Sequence, residues 1–396
     1  MSKRVQTFWR QISDGIAINQ LWAQFQSEAR ASYRLYSAEV DWTLGAQETG
    51  GQRVRRVISS LFWAMVLKLS PARRVLFVMA LVLLFFPGLD FRAGQLQVQM
   101  PDLAGLAAFL IFILLALELA DRVTMKRDLE IAKEIQSWLM PATPPSAPGC
   151  EIAFATRPAN TVAGDYYDAF LRPNSGEGAS QHLLLVVADV AGKSVPAALL
   201  MATLQASLHT LASVYATPLE LVESLNRYAC ERNVGGQRFT TMFLAELDPA
   251  TRQLTYVNAG HNWPVLLRAS GTMERLQIGG LPLGLMRNAR YECGHLTLLP
   301  GDLLLVFTDG LPEAENDQEE QYGEGRMFAA LNNHATQTAE GVLRALMTSA
   351  DGFVGLAPQH DDITCLVLRA VPTDETTYSE RSVSMGLTAI ARREGM

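Results

Sequence analysis

Five aspartates are the residues of this chain best suited to do chemistry. They stand in Gly164-Asp165, in LLLVVADVAGKS as Asp189, in LLLVFTDG as Asp309, and in QHDDITCLVL as Asp361 and Asp362. Most of these motifs abut runs of apolar, β-branched residues. Asp is disfavoured inside strands, so an Asp at the edge of a buried strand marks a turn or a site. Carboxylates gathered at one end of a sheet would repel one another, and a bound divalent cation with oxygen ligands relieves that repulsion. A single Asp at a turn also serves as a cap, so each position carries a structural reading beside the chemical one. Asp362 reads as a ligand or as a group that orients one, and Asp168 as a functional carboxylate or as a loop stabiliser.

Around these carboxylates lie groups with weaker signals. His261, in an Asn-Ala-Gly-His turn, reads as a support or substrate-side group, or as a hydrogen-bonded turn histidine. His360 beside Asp361 reads as a support for a ligand. Arg157 and Lys193 would meet a substrate phosphate, or are solvated loop charges. Glu313 and Glu315 fit either the surroundings of a metal or a charged helix start.

Elements must hold these residues in place. From Cys150 onward, strand-like runs occupy Leu183–Val190, Thr240–Leu247, Leu254–Asn258, Val265–Arg268, Leu303–Thr308 and Ile363–Leu368. Helix-like runs occupy Val195–Ser213, Pro218–Arg232, Gly325–Asn333 and Thr338–Phe353. Tight turns such as Asp248-Pro249-Ala250 join consecutive strands, which predicts mainly antiparallel sheets covered by helix pairs, a layered α+β domain. Neither a P-loop nor a dinucleotide-binding glycine loop is present. The 396 residues exceed what one such domain needs, and a net charge of −7 with no basic domain argues against nucleic acid. The four cysteines stand far apart without metal-ligand spacing, as expected of reduced thiols.

The surplus lies at the N-terminus. Two apolar stretches, about 75–91 and 103–120, predict a transmembrane hairpin within residues 71–120, the first being marginal unless it reaches Phe91. Arg73 and Arg74 precede the hairpin, and Arg122, Lys126 and Arg127 follow it. By the positive-inside rule both termini, and the layered domain that begins near residue 146, lie in the cytoplasm, at the cytoplasmic (inner) membrane. A signal peptide is not expected, because the first apolar run begins only at Val75. Residues 1–70 read as a cytoplasmic helical region of unassigned role. Residues 121–145 read as a helical connector that Pro141 ends. Leu129, Ala132 and Leu139 fall near heptad spacing with Gln136 at one seam position, which suits a homodimer contact or a plain spacer. Residues 371–396, rich in Ser, Thr, Glu and Arg, read as a flexible tail.

Five segments in order carry a family resemblance: GDYYD (164–168), VADVAGKSVPAAL (187–199), TYVNAGHNWPVLL (255–267), LLPGDLLLVFTDGLPEA (298–314) and HDDIT (360–364). Over about residues 128–370 the chain resembles the SpoIIE-type, RsbU-like bacterial serine/threonine phosphatases, a branch of the metal-dependent protein phosphatase 2C superfamily. The resemblance implies an αββα sandwich over residues 146–370 with two Mn2+ or Mg2+ ions at one end. It implies Asp165, Asp189, Asp309, Asp361 and the main-chain carbonyl of Val190 as metal ligands, with Asp189, Asp309 and Asp361 central to catalysis. The paired cations would activate a water for attack on a phosphoserine or phosphothreonine, so no covalent nucleophile is needed. The implied substrate is a phosphorylated regulatory protein of the anti-anti-sigma (STAS) type. Competing readings are a catalytically silent pseudophosphatase and a membrane signalling scaffold. Ala163 stands where the family usually has Gly, and Ser194 replaces the last Gly of Gly-Lys-Gly.

Overall fold

The computed structural model describes residues 103–172, 181–192, 195–232 and 238–372, and residues 55–99 in part. The expectations for residues 1–54, for Lys193 and Ser194, and for the tail beyond residue 372 lie outside the described residues. The chain divides into two compact units, residues 1–124 and 125–396.

In the first unit, α1 (Pro71–Phe85) is followed by β1 (Asp90–Ala93) and β2 (Leu96–Gln99), which pair antiparallel. The first apolar stretch is thus helical up to Phe85 within this 15-residue helix, and Phe91, where the stretch was expected to end, lies in a strand. Fifteen residues rise about 22 Å, short of a hydrocarbon core of about 30 Å. The second stretch opens α2 (Ala104–Leu139), 36 residues without a break. Its apolar half is long and apolar enough to cross a membrane. Arg73 of α1 donates hydrogen bonds to Glu118 (3.3 Å) and Asp121 (2.5 Å) of α2. Residues 121–139, within the expected connector, are helical and form the C-terminal half of α2.

The second unit is built on two five-membered strand paths. One runs β10 (Gly279–Gly280), β7 (Gln253–Ala259), β6 (Thr240–Asp248), β5 (His182–Val190), β4 (Tyr166–Arg172), with β11 (Gly294–Thr297) also on β7. The other runs β3 (Cys150–Arg157), β13 (Ile363–Ala370), β12 (Leu303–Phe307), β8 (Val265–Leu267), β9 (Met273–Arg275). All pairings are antiparallel except the two-residue β10–β7 contact.

Side-chain alternation sorts these strands into layers. On β5, Leu185 and Val187 enter the core between the sheets, together with Phe243, Leu304, Val306 and Leu366. Leu184 and Val186 point the other way, against α3 (Val195–Ala212) and α4 (Pro218–Arg232), where Met201, Leu208, Leu221 and Leu225 are buried. On β12, Leu305 and Phe307 face α5 (Gly323–Asn333) and α6 (Ala339–Val354) through Leu331, Val342 and Leu346. The result is four layers, helices–sheet–sheet–helices. Each fully buried Leu or Phe contributes about 1.5–3 kcal/mol, so three cores in series hold both sheets rigid. Local signals set the helix ends. Thr217 and Glu220 form a reciprocal capping box at the start of α4, and the Thr338 hydroxyl caps α6 by accepting from the Gly341 amide. α3 is also long and apolar enough to pass for a membrane span, but its buried Ala197, Met201 and Leu208 lie in the core under the sheet.

Candidate functional site

Strand register brings the aspartates to one end of the sandwich. Tyr166 pairs with Ala188, so Asp165 and Asp189 are opposed one step further along β4 and β5. Phe307 pairs with Cys365, which puts Thr308 opposite Thr364 and Asp309 opposite Ile363, just after Asp361 and Asp362. The Thr308 amide donates to the Thr364 carbonyl at 3.0 Å and extends that ladder. Each sheet thus delivers carboxylates at the same edge, from turns that leave rigid, doubly buried strands.

Asp165 is buried, and its Oδ2 accepts a 2.8 Å hydrogen bond from the Thr308 hydroxyl of the other sheet. Burial pushes its carboxyl well above the usual range; the charge of Asp189 adds to this, while the Thr364 and Thr308 hydroxyls oppose it. Asp189, Asp309 and Asp361 are half-buried at the rim. Among the described residues, no three His, Cys, Asp or Glu side chains gather closely enough to hold a metal. The donors at this end are nonetheless all hard oxygens, and mutual repulsion between buried carboxylates is what a divalent cation relieves. By donor type the residues present suit a hard metal, although their side chains are not drawn together into a ligand cluster. The Val190 carbonyl faces the same loop: a methyl on Gly164 would lie 3.3 Å from it and 3.3 Å from the Ala197 methyl of α3.

Asp362 does a different job. Its two oxygens accept from the amides of Ala159 (2.7 Å) and Gly164 (2.6 Å), so it ties the loop carrying Asp165 to the segment carrying Asp361. Gly310 is required at the Asp309 turn, because a methyl there would sit 2.0 Å from the Asp362 carbonyl oxygen. Asp168 accepts from the Tyr166 hydroxyl (2.6 Å) and the Ala169 amide (2.8 Å), and its Oδ2 lies 2.7 Å from His209 Nε2 on α3. It anchors β4 to that helix.

His261 is buried, with Nδ1 3.0 Å from the Thr241 hydroxyl. Thr241 pairs with Asp189 across β5 and β6, so the imidazole supports the strand next to the carboxylate. Its Nε2 has no partner of standard hydrogen-bond geometry, although the Phe307 carbonyl is near enough to favour protonation slightly. Burial dominates and lowers the ring to about 4. An unfolded histidine binds a proton near pH 6.5, so acid favours the unfolded chain. We expect roughly 3 kcal/mol of stability, present above pH 6.5, to be lost as pH falls to about 4. Chemical denaturation of wild type and His261→Asn at pH 7 and pH 4.5 checks this; equal pH slopes would refute it.

Arg157 pairs with Asp351 of α6 and lines a cavity of about 270 Å³ with Gly310 and Asp361. It is thus beside the rim but already engaged by a carboxylate. His360 Nε2 lies 3.9 Å from Glu315, which lines the same cavity with Glu313. No thiol is poised as a nucleophile: burial pushes Cys365 up to about 12 and Cys150 to about 11.

One contact was not foreseen from the pattern. Gln136, near the end of α2, is buried and makes two hydrogen bonds to Ala163: its amide nitrogen donates to the carbonyl (2.8 Å) and its amide oxygen accepts from the backbone N–H (3.0 Å). Ala163 is two residues before Asp165. A polar residue at a heptad seam was the available signal.

Residues 179–371 match the family model for Stage II sporulation protein E (SpoIIE). They are a SpoIIE-type phosphatase domain. Protein IcfG of Synechocystis sp. is 27% identical over 282 residues, covering 64% of this chain and 43% of that protein. Phosphoserine phosphatase RsbU of Bacillus subtilis is 29% identical over 248 residues, covering 62% of this chain and 70% of that one. Among solved structures, the RsbU and RsbW domains of Rv1364c from Mycobacterium tuberculosis superpose with a TM-score of 0.50 at 26% identity, over 60% of this chain and 64% of that one. The chain spans less than half the length of IcfG. The SpoIIE domain thus has the PP2C-type α+β fold, and phosphatases of this type use Mn2+ or Mg2+.

Proposed function

We propose that the protein is a membrane-anchored, metal-dependent serine/threonine phosphatase acting on a phosphorylated regulatory protein. The observation that carries this is the register of the two strand pairs, which sets Asp165 against Asp189 in one sheet and Asp309 beside Asp361 and Asp362 at the same end of the other. Asp165, Asp189, Asp309, Asp361 and the Val190 carbonyl would hold two Mn2+ or Mg2+ ions. When bound, that pair supplies an activated water and neutralises the phosphoryl oxygens. The chain's own residues do the positioning. Thr308 orients Asp165 from across the sandwich, Asp362 holds the Asp165 loop, and His261 stays neutral to brace the strand beside Asp189.

The relative RsbU is named a phosphoserine phosphatase. That name supports phosphoserine or phosphothreonine on a regulatory protein of the STAS type as the substrate. We assign residues 146–370 to catalysis, residues 121–145 to a connector that also suits a homodimer contact, and residues 71–120 to a membrane hairpin, with both ends cytoplasmic. The apolar half of α2 and the basic residues flanking it support the anchor. Because α1 is short, α2 carries most of that assignment.

The test is turnover of a phosphoserine-bearing protein by the full chain in lipid nanodiscs. Hydrolysis is expected with Mn2+, lost with chelator and restored by added metal, and unaffected by thiol alkylation. Turnover indifferent to chelation would refute the mechanism. Binding of the phosphoprotein without turnover at any metal concentration would make the protein a pseudophosphatase.

A further inference from the structure

The ladder between β3 and β13 ends where Arg157 pairs with Ile363. Residues 357–362, which lead from the end of α6 into β13, lie in neither helix nor strand. A segment of this kind must satisfy its backbone polar groups by other means. Side chains supply them here. The carboxamide nitrogen of Gln359, half-buried, donates to the Arg157 carbonyl (2.7 Å) and to the Asp361 carbonyl (2.7 Å). The group carries two hydrogens, and two carbonyls engage both. Only the nitrogen can face two acceptors, so the orientation of the amide follows from its partners.

Asp362 works beside it. Its oxygens hold the Ala159 and Gly164 amides, and its own amide donates to Asp361 Oδ1 at 2.9 Å. The two side chains divide one task. Asp362 gathers the loop 158–164, which delivers Asp165, and Gln359 ties the main chain of Asp361 to the end of β3 just before that loop. Past the last strand pair, side-chain hydrogen bonds thus continue the connection that the ladder makes within the sheet.

We propose that Gln359 is a positioning residue of the metal site: its carboxamide fixes the Asp361 main chain against the end of β3, and so the direction from which the Asp361 carboxylate is presented. The residue touches neither metal nor substrate and acts through Asp361. The assignment rests on the reading of Asp361 as a metal ligand. An aliphatic side chain of the same length donates to neither carbonyl, and Asn, one methylene shorter, holds its donors at the wrong reach.

The test compares wild type with Gln359→Met and Gln359→Asn, each as the full chain in nanodiscs; Met keeps the unbranched form of Gln without its donors. In chelator, amide hydrogen exchange over residues 158–164 should quicken about tenfold in both variants, the scale of one lost hydrogen bond, while β5 and β6 exchange as in wild type. Calorimetric titration should show Mn2+ binding weakened about tenfold or more, as when a group that orients a metal ligand is removed. The thermal midpoint in chelator should stay near that of wild type. A merely structural glutamine would lower that midpoint and leave the Mn2+ affinity of the folded chain unchanged. Unchanged exchange over 158–164, or wild-type Mn2+ affinity in both variants, would overturn the proposal. A wild type that binds no Mn2+ would overturn the metal-dependent phosphatase reading, and this assignment with it.

Discussion

Replacing Asp189 by Asn lowers Mn2+-dependent hydrolysis of a phosphoserine substrate by about a thousandfold or more, the scale on which loss of a preorganised electrostatic partner acts. Its second effect runs the other way. Asp189's charge is one reason why the buried Asp165 carboxyl is pushed up, so the neutral amide relieves that repulsion. In chelator, the variant should unfold at or above the wild-type temperature. Activity falls while metal-free stability holds, a combination that a merely structural aspartate would not give. A variant that loses both together would return Asp189 to the role of a turn former.

Gly310→Ala should be the most damaging small substitution at the site. The added methyl would lie 2.0 Å from the Asp362 carbonyl oxygen and 2.8 Å from its carbon, and both are backbone atoms that cannot rotate away. The Asp309 turn must then separate from the Asp361–Asp362 segment. Overpacking of this kind costs roughly 1–3 kcal/mol. If these turns hold the metal as proposed, spreading them should also weaken Mn2+ binding by about 10–100-fold, as disturbed supports of metal ligands do. Calorimetric titration of Mn2+ into wild type and Gly310→Ala reads this directly; unchanged affinity would mean that Asp309 and Asp361 do not share a metal.

The sequence made the central strands plain and the edges obscure, for a physical reason. β5 and β12 are buried on both faces, so LLLVVADV and LLLVF read as continuous apolar runs with an Asp at or just beyond the end. β3 and β4, absent from the expected strands, are the outermost strands of their sheets. Edge strands pair on one side only, and CEIAFATR and YYDAFLR mix polar with apolar residues accordingly. The aspartate cluster was legible because one residue type recurs in one setting. Thr308 and Gln136 were not, because a threonine at a strand end and a glutamine on a helix are ordinary until register shows what they touch. Asp362 is the instructive case: its neighbour Asp361 has the same type and context, and only its two amide donors show it acting as a tie between loops.

The paired hydrogen bonds of Gln136 also impose an angular requirement on α2. A carboxamide can meet both the N–H and the C=O of one residue from a single azimuth, and each residue of an α-helix turns the next by about 100°. Gln136 stands in the last turn of α2, so the clamp fixes the azimuth of that turn against Ala163. Sliding the helix along its axis by a fraction of an ångström would stretch the clamp slightly, whereas twisting it would turn the amide away from Ala163. The paired bonds thus tie the loop that carries Asp165 to one azimuth of the last turn of α2.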